Sequence, residues 1–407
     1  MDIRELDASD DLDALLDLSG RAFGPRAPAQ LPGWYAEAQS VIAGRRWLGV
    51  FDGPRLTAAA RYHVMRQCWQ GRWQPMAGVA SVMVAPEDRG RGTGRALMTA
   101  MLELIAARGY QISVLYPATS AIYRSVGWEI AGVQNQVRFP ARSVRALAGP
   151  DPVLTSPAAG SGAAGSGAAG ARRCHPGDTA AVLAVLGDAH QALRDSGPAI
   201  RDQDTVQGWL ADRDRYCYLA ADGFLSYRWR NGNDEIAVDR LVAVSATTTR
   251  ALWGIVASHS SIADTVLACV GPADPVGWLT REPDVEPASR YQWMLRVVDA
   301  PGAIAERGFP AGAEVTAALE LADPARPGNE GRWTLEVSGG KAVLTQGGTA
   351  PVGGAPLIAG PRGFAALYAG TPVATLRRAG LASGGTAATD AALDTAFAAS
   401  PFLHDYF

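Results

Sequence analysis

Between Val82 and Arg95 the chain reads Val-Met-Val-Ala-Pro-Glu-Asp followed by Arg89, Gly90, Arg91, Gly92, Thr93, Gly94 and Arg95. Three glycines remove Cβ atoms, so successive backbone N–H groups can converge on an anion, and a helix starting there adds about half a positive charge. Arg89, Arg91 and Arg95 supply further countercharge, which together suits a diphosphate. The segment lacks GxxxxGK[ST], and its GxGxG spacing departs from the dinucleotide GxGxxG, which argues against nucleotide hydrolysis and against hydride transfer. The net charge of −3 gives no field for capturing nucleic acid, so no nucleic-acid partner is expected. Cys68, Cys174, Cys217 and Cys269 form no CxxC pair, and His63, His175, His190 and His259 have no ligand spacing. Neither a metal site nor a disulfide framework is expected, and the thiols read as buried.

A phosphate loop needs a strand before it and a helix after it. Gly78–Val84 supplies the strand, and apolar positions at Leu97, Met101, Leu104 and Ile105 supply the helix, which ends by Gly109. Upstream, an acidic helix carries Leu12, Leu15 and Leu16, and strands at Arg46–Phe51 and Leu56–Val64 turn at Asp52-Gly53-Pro54. Downstream, a strand at Ile112–Leu115 stops at Tyr116-Pro117, and a short helix carries Tyr123 toward Gly127-Trp128. An Ala/Gly/Ser repeat from Ala158 to Gly170 has nothing to bury and reads as a tether spanning 151–172.

The second stretch repeats the order, with a helix at Ala180–Leu193, a strand at Ile236–Val244 and a helix at Thr247–Ser258. Its loop, Ala243-Val244-Ser245-Ala246-Thr247, contains no glycine, so a second anion site there is expected to be dead. A third unit is expected to open at Trp293–Val298, with strands at Val315–Leu321 and Trp333–Val337 and helices at Gly363–Tyr368 and Ala391–Ala399. The boundaries are therefore 1–150, 151–172, 173–290 and 291–407. The 407 residues exceed one ordinary core. No run of roughly twenty apolar residues could span a bilayer, and the charged start Met1–Leu6 lacks a secretory pattern, so a cytoplasmic protein with no membrane insertion is expected.

The loop resembles the R/Q-x-x-G-x-G/A signature of the GNAT superfamily of N-acetyltransferases, matched by Arg89, Gly92 and Gly94. That resemblance implies acetyl-CoA as co-substrate. Val82, Met83 and Val84 would lie on its pantetheine arm, Gly90 to Arg95 on its pyrophosphate, and Ala118 and Thr119 on the opposite wall. Acetyl transfer to an amine also needs a proton donor for the thiolate, a role that suits Tyr123, with Tyr116 as rival.

Over its whole length the chain resembles the enhanced intracellular survival (Eis) family. Ile122–Trp128 carries its I-Y-x-x-F/V-G-aromatic stretch, and Trp293–Asp299 resembles the opening of its sterol-carrier-like domain. The fold class implied is mixed α/β and α+β: two GNAT-like domains, the second degenerate, then a sterol-carrier-like α+β domain. The resemblance makes the α-carboxylate of Phe407 the general base; His404 is the alternative by its imidazole pKa, and because no Cys lies in a segment that places it near the cofactor, direct attack without an acyl-enzyme is expected. The resemblance also implies a homo-hexamer and primary-amine substrates, on aminoglycosides or lysine side chains. Phe23 and Trp34 are candidates for a substrate-pocket wall, while Tyr406 and Arg26 stand where a polycation would want carboxylates. Two other readings are a protein lysine acetyltransferase and a non-enzymatic carrier of an apolar ligand.

Overall fold

The computed structural model describes residues 1–10, 12–148, 170–280, 284–347 and 355–407. Most of the Ala/Gly/Ser tether lies outside the described residues. The first unit runs β1 (Asp2–Glu5), α1 (Leu12–Phe23), α2 (Leu31–Ala43), β2 (Trp47–Asp52), β3 (Arg55–Trp69), β4 (Arg72–Val84), α3 (Thr93–Ala107), β5 (Ile112–Leu115), α4 (Ser120–Arg124) and β6 (Glu129–Pro140). The second runs β7 (Arg172–Arg173), α5 (Thr179–Ala192), β8 (Ala199–Arg201), α6 (Gln203–Ala211), β9 (Tyr216–Ala220), β10 (Gly223–Arg230), β11 (Glu235–Ala243), α7 (Ala246–Ala257), β12 (Thr265–Val270), α8 (Val276–Leu279) and β13 (Glu286–Val297). The third holds α9 (Ala300–Glu306), β14 (Val315–Leu321), β15 (Gly331–Ser338), β16 (Lys341–Gln346), β17 (Leu357–Ala359), α10 (Pro361–Tyr368), α11 (Val373–Arg378), β18 (Ala382–Gly384) and α12 (Ala387–Phe397).

Alternation along β4 explains why the first sheet is covered on both faces. Val79, Val82 and Val84 face the cluster of Leu97, Met98, Met101 and Ile105 on α3, while Met83 turns to Leu15, Leu18, Val41 and Ile42 on α1 and α2. Each such side chain contributes about 1.5–3 kcal/mol on burial.

The first two units share one sheet by exchanging their last strands. β4 and β5 pair in parallel, and the neighbour of β5 is β13, antiparallel from Met294–Leu115 to Val297–Ile112. Correspondingly, β11 and β12 are parallel, and the neighbour of β12 is β6. β6 and β13 pair with each other in the middle. Two expectations change as a result. The apolar run at Trp293 does not open the third unit; it is the buried end of β13, held between β5 and β6, so the cut at 290/291 falls inside a strand. Arg172 already belongs to β7, paired with Leu219 on β9, so the tether ends before it.

Among the described residues the third unit is a five-stranded sheet in the order β16-β15-β14-β17-β18, packed by α9, α10 and α12. From α12 the tail returns to the shared sheet. Val133 on β6 donates its N–H to Pro401 O at 3.2 Å and accepts from Leu403 N at 3.0 Å, and Phe402 N donates to Ser196 O at 3.1 Å.

Candidate active site

Pairing between β4 and β5 stops at Val79 and Leu115, although β4 continues to Val84. Pro117 explains the divergence on one side, since it has no N–H to continue β5. On the other, the register of β4 against β3 slips between the Ala59–Met83 and Arg61–Ala80 pairs, and Ser81 sits at φ 50. The last residues of β4 thus carry a bulge, and among the described residues their β5-facing edge has no strand partner. Sequence reasoning missed Ser81, because serine carries no signal for a left-handed backbone.

The loop that follows has the form an anion needs. Gly90 (φ 76) and Gly92 (φ 82) are both in the left-handed region, and a Cβ on either would meet nothing within 4 Å. Gly92 is the N-cap of α3 and makes no side-chain cap hydrogen bond. Around it Arg89, Arg91 and Arg95 are exposed; Arg89 Nε donates to Val84 O at 3.2 Å, and Arg91 lies 3.5 Å from Asp88, which Arg55 already holds at 2.7 Å. Thr93 is buried and reaches back to Asp88 O at 3.4 Å. Gly94 differs from its two neighbours: a Cβ there would come 2.6 Å from Ile122 Cδ1, so it lets α3 close against α4. Ala118 and Thr119 are exposed where the chain leaves β5 for α4. These residues fit a diphosphate ligand with a chain running along the free edge of β4.

In the second unit the equivalent helix end is already occupied. Asp222 accepts the Ser245 N–H at 2.8 Å and the Thr248 hydroxyl, and Ser245 Oγ caps Thr248 N at 3.2 Å. The protein's own carboxylate sits where an anion would.

Tyr123, on α4, is 5% exposed within the α3 cluster, and burial pushes its hydroxyl up to about 12, with the neighbouring Tyr406 adding to the shift. The ring of Phe407 rests on β4: a Cβ on Gly78 would come 2.8 Å from its Cε2. His63 at 6.2 Å, Tyr116 at 5.5 Å and the Arg201 guanidinium at 5.8 Å surround that ring. Tyr406 packs against Tyr116 with the rings tilted and their centroids 4.4 Å apart, and Asp405 pairs with Arg240 at 2.7 Å.

The two rivals fare less well. Tyr116 already commits its hydroxyl to Asp405 O at 2.9 Å; burial raises its pKa as it raises that of Tyr123, so that hydrogen bond is what sets the two apart. His404 is buried, and desolvation followed by Arg240 and His190 drives it well below the usual imidazole range, a poor base for an ammonium. Phe23 is 56% exposed at the end of α1, whereas Trp34 packs on the α1/α2 cluster beneath the Arg26 guanidinium at 5.4 Å, and among the described residues no ring contact joins them. Arg201 also escaped sequence reasoning, because β8 is only three residues long. All four cysteines are buried and free. Cys269 lies near the tail, with Sγ 3.6 Å from His404 O, and burial pushes it to about 12, leaving little thiolate for nucleophilic attack.

A splayed parallel pair, a strand bulge and an arginine–glycine loop capping the next helix define an acetyl-transferring class. Residues 2–131 match the acetyltransferase (GNAT) domain family, 197–297 a second such family and 300–403 the sterol carrier protein domain. The crystal structure of a GCN5-related N-acetyltransferase from Kribbella flavida is 41% identical, with a TM-score of 0.90 over 100% of this chain and 98% of that one. Eis1 from Mycobacterium abscessus is 25% identical, with a TM-score of 0.77 over 100% of both chains. N-acetyltransferase Eis of Mycobacterium tuberculosis is 27% identical over 73% of this chain and 72% of that protein. The chain belongs to the Eis family of GCN5-related N-acetyltransferases and is an acetyl-transferring enzyme, with two GNAT domains followed by a sterol-carrier-like domain.

Proposed function

We propose that the enzyme moves the acetyl group of acetyl-CoA directly to a primary amine bound between the free edge of β4 and the tail. The observation that carries this reading is the seating of the Phe407 ring on Gly78, one residue before β4 and β5 part, with Tyr123 on α4 near enough to Tyr406 to feel its charge. In this reading Val82, Met83 and Val84 line the pantetheine arm, Gly90 to Arg95 take the pyrophosphate, and Ala118 and Thr119 form the other wall. Tyr123 keeps its proton at neutral pH and donates to the departing sulfur. The α-carboxylate of Phe407 attracts and orients the ammonium and receives its proton after desolvation or through water, because an ordinary terminal carboxyl near 3.3–3.7 is too weak a base alone. Attack is direct, since Cys269 is not a competent nucleophile. The homo-hexamer that the family resemblance implies would need an apolar contact face, and Trp278, 81% exposed on α8, is a candidate part of it. A carrier role gains little, because Trp333, Leu335, Phe364 and Phe397 fill the interior of the third unit.

The test is thiol release from acetyl-CoA across a panel of amines, with the full chain and a variant carrying one glycine after Phe407. The extension keeps the ring and moves the carboxylate. Amine-dependent release that falls about a hundredfold or more in the extended chain supports the reading. Undiminished release removes the carboxylate from the mechanism, and acetyl-CoA binding without release by any amine overturns the reading.

A further inference from the structure

Beside the tail, on the face of the shared sheet formed by β6 and β10 to β13, lies a cavity of about 660 Å³. Its wall carries Arg201, Arg215, Arg228 and Arg230 against two carboxylates, Asp239 and Asp405. Both acids are already engaged. Asp239 lies 3.3 Å from Arg215 and 3.0 Å from Arg228, and Asp405 is held by Arg240, which is 3% exposed behind the wall. Arg228 takes a further partner in Asp212 at 3.0 Å. Arg201 and Arg230 have no ion-pair partner among the described residues. The Nε atoms of Arg201, Arg215 and Arg240 and Nη1 of Arg240 are buried without a hydrogen-bond acceptor. Guanidinium groups stay charged in proteins, and buried donors without acceptors are costly, so a wall of this kind is complementary to an anion that accepts in pairs.

The cavity also leads to the reacting centre. Asp405 and Tyr406 belong to its lining, and Arg201 stands at once on the cavity wall and over the Phe407 ring. His63, 6.2 Å from that ring, lies in the field of Arg201, Arg61 and Arg46. We propose that this arginine wall binds the far end of the acceptor, so that the substrate is an amine carrying a carboxylate or phosphate group rather than a polycation. The inference rests on the acetyl-transfer reading above. The amine reaches Phe407 while its anionic end pairs with Arg201 and Arg230, and the exposed rings of Tyr291 and Tyr406, 6.0 Å apart, flank the connecting chain.

The test compares 6-aminohexanoate, hexylamine and 1,6-diaminohexane, which present the same amine with a negative, neutral or positive far end; a six-carbon aminoalkyl phosphate distinguishes phosphate from carboxylate. At low salt the anionic amines are expected to exceed hexylamine in kcat/KM by about tenfold or more, and the diamine to fall below it. The double variant Arg201→Met/Arg230→Met should raise KM for the anionic amines by that factor while leaving KM for acetyl-CoA unchanged. A preference for the diamine, or an anion preference that survives in the double variant, overturns the proposal. Calorimetric titration with 6-acetamidohexanoate needs no turnover. Saturable binding lost in the double variant upholds the wall even if no amine releases thiol, an outcome that sinks acetyl transfer alone; absence of binding to the parent overturns the wall itself.

Discussion

A phenol held at about 12 by burial keeps its proton over the whole range in which an enzyme works, while a free thiolate is the conjugate base of a group near 8.5. Tyr123 is therefore suited to giving a hydrogen bond to the departing sulfur rather than to titrating with pH. Tyr123→Phe is expected to lower kcat by about 10²–10⁴ with little change in the KM for acetyl-CoA. Steady-state thiol release checks this, and in the parent the basic limb of the profile should show no break from Tyr123 below about pH 11. At this scale the legible part of the site was the part written in composition. Gly90, Gly92 and the three arginines stand out because glycine and arginine at such density have few other uses. Ser81 and Arg201 did not stand out, since a serine at φ 50 and an arginine on a three-residue strand are products of register and tertiary pairing.

Glycines that look equivalent in the sequence act on different elements. Gly90 and Gly92 shape a loop open to a ligand, whereas Gly94 sits inside α3 and sets how closely that helix approaches α4. Gly90→Ala should cost about 1–2 kcal/mol for its left-handed backbone and raise the KM for acetyl-CoA while sparing kcat. Gly94→Ala should cost about 1–3 kcal/mol by overpacking against Ile122 and lower kcat, because Ile122 precedes Tyr123. Thermal unfolding and saturation kinetics on both variants separate the two effects, and equal kinetic behaviour would refute the division. Element boundaries followed the hydrophobic period where it was long or cleanly bounded. Ile112–Leu115 and Val315–Leu321 stand as read, but β7 and β8 were too short to leave a pattern.

Which unit a strand joins is settled only by the whole molecule. The run at Trp293 is apolar because β13 is covered on both faces, with Trp293, Leu295 and Val297 in the cluster of the third unit and Met294 and Val298 in the α3 cluster, and nothing local says which elements do the covering. Long-range burial also makes stability depend on pH. His63, pushed down to about 2 by burial and three arginines, and His190 and His404, both lowered chiefly by burial, stay neutral in the folded chain. Their unfolded value near 6.5 means that the unfolded chain gains protons first as pH falls. Stability is thus full above about pH 6.5 and declines below it, by up to about 1.4 kcal/mol per pH unit for each histidine, before ordinary carboxylates titrate near 4. Unfolding midpoints between pH 6.5 and 4.5 should show the decline, and His404→Gln should flatten it. The junction between the shared sheet and the third unit rests on a different group. Arg296 on β13, 1% exposed, gives Nη2 to both oxygens of Asp323 at 2.6 and 2.7 Å, Nε to Val126 O at 3.2 Å and Nη1 to Val297 O at 2.7 Å. Asn329 Nδ2 completes Asp323 at 2.9 Å. Asp323→Ala leaves a buried guanidinium uncompensated and should cost about 3–5 kcal/mol, whereas Arg296→Met/Asp323→Leu removes both charges and should recover most of that loss. Urea denaturation measures both, and a double variant as unstable as Asp323→Ala would show that the junction depends on the hydrogen bonds to Val126 and Val297 rather than on the charge pair.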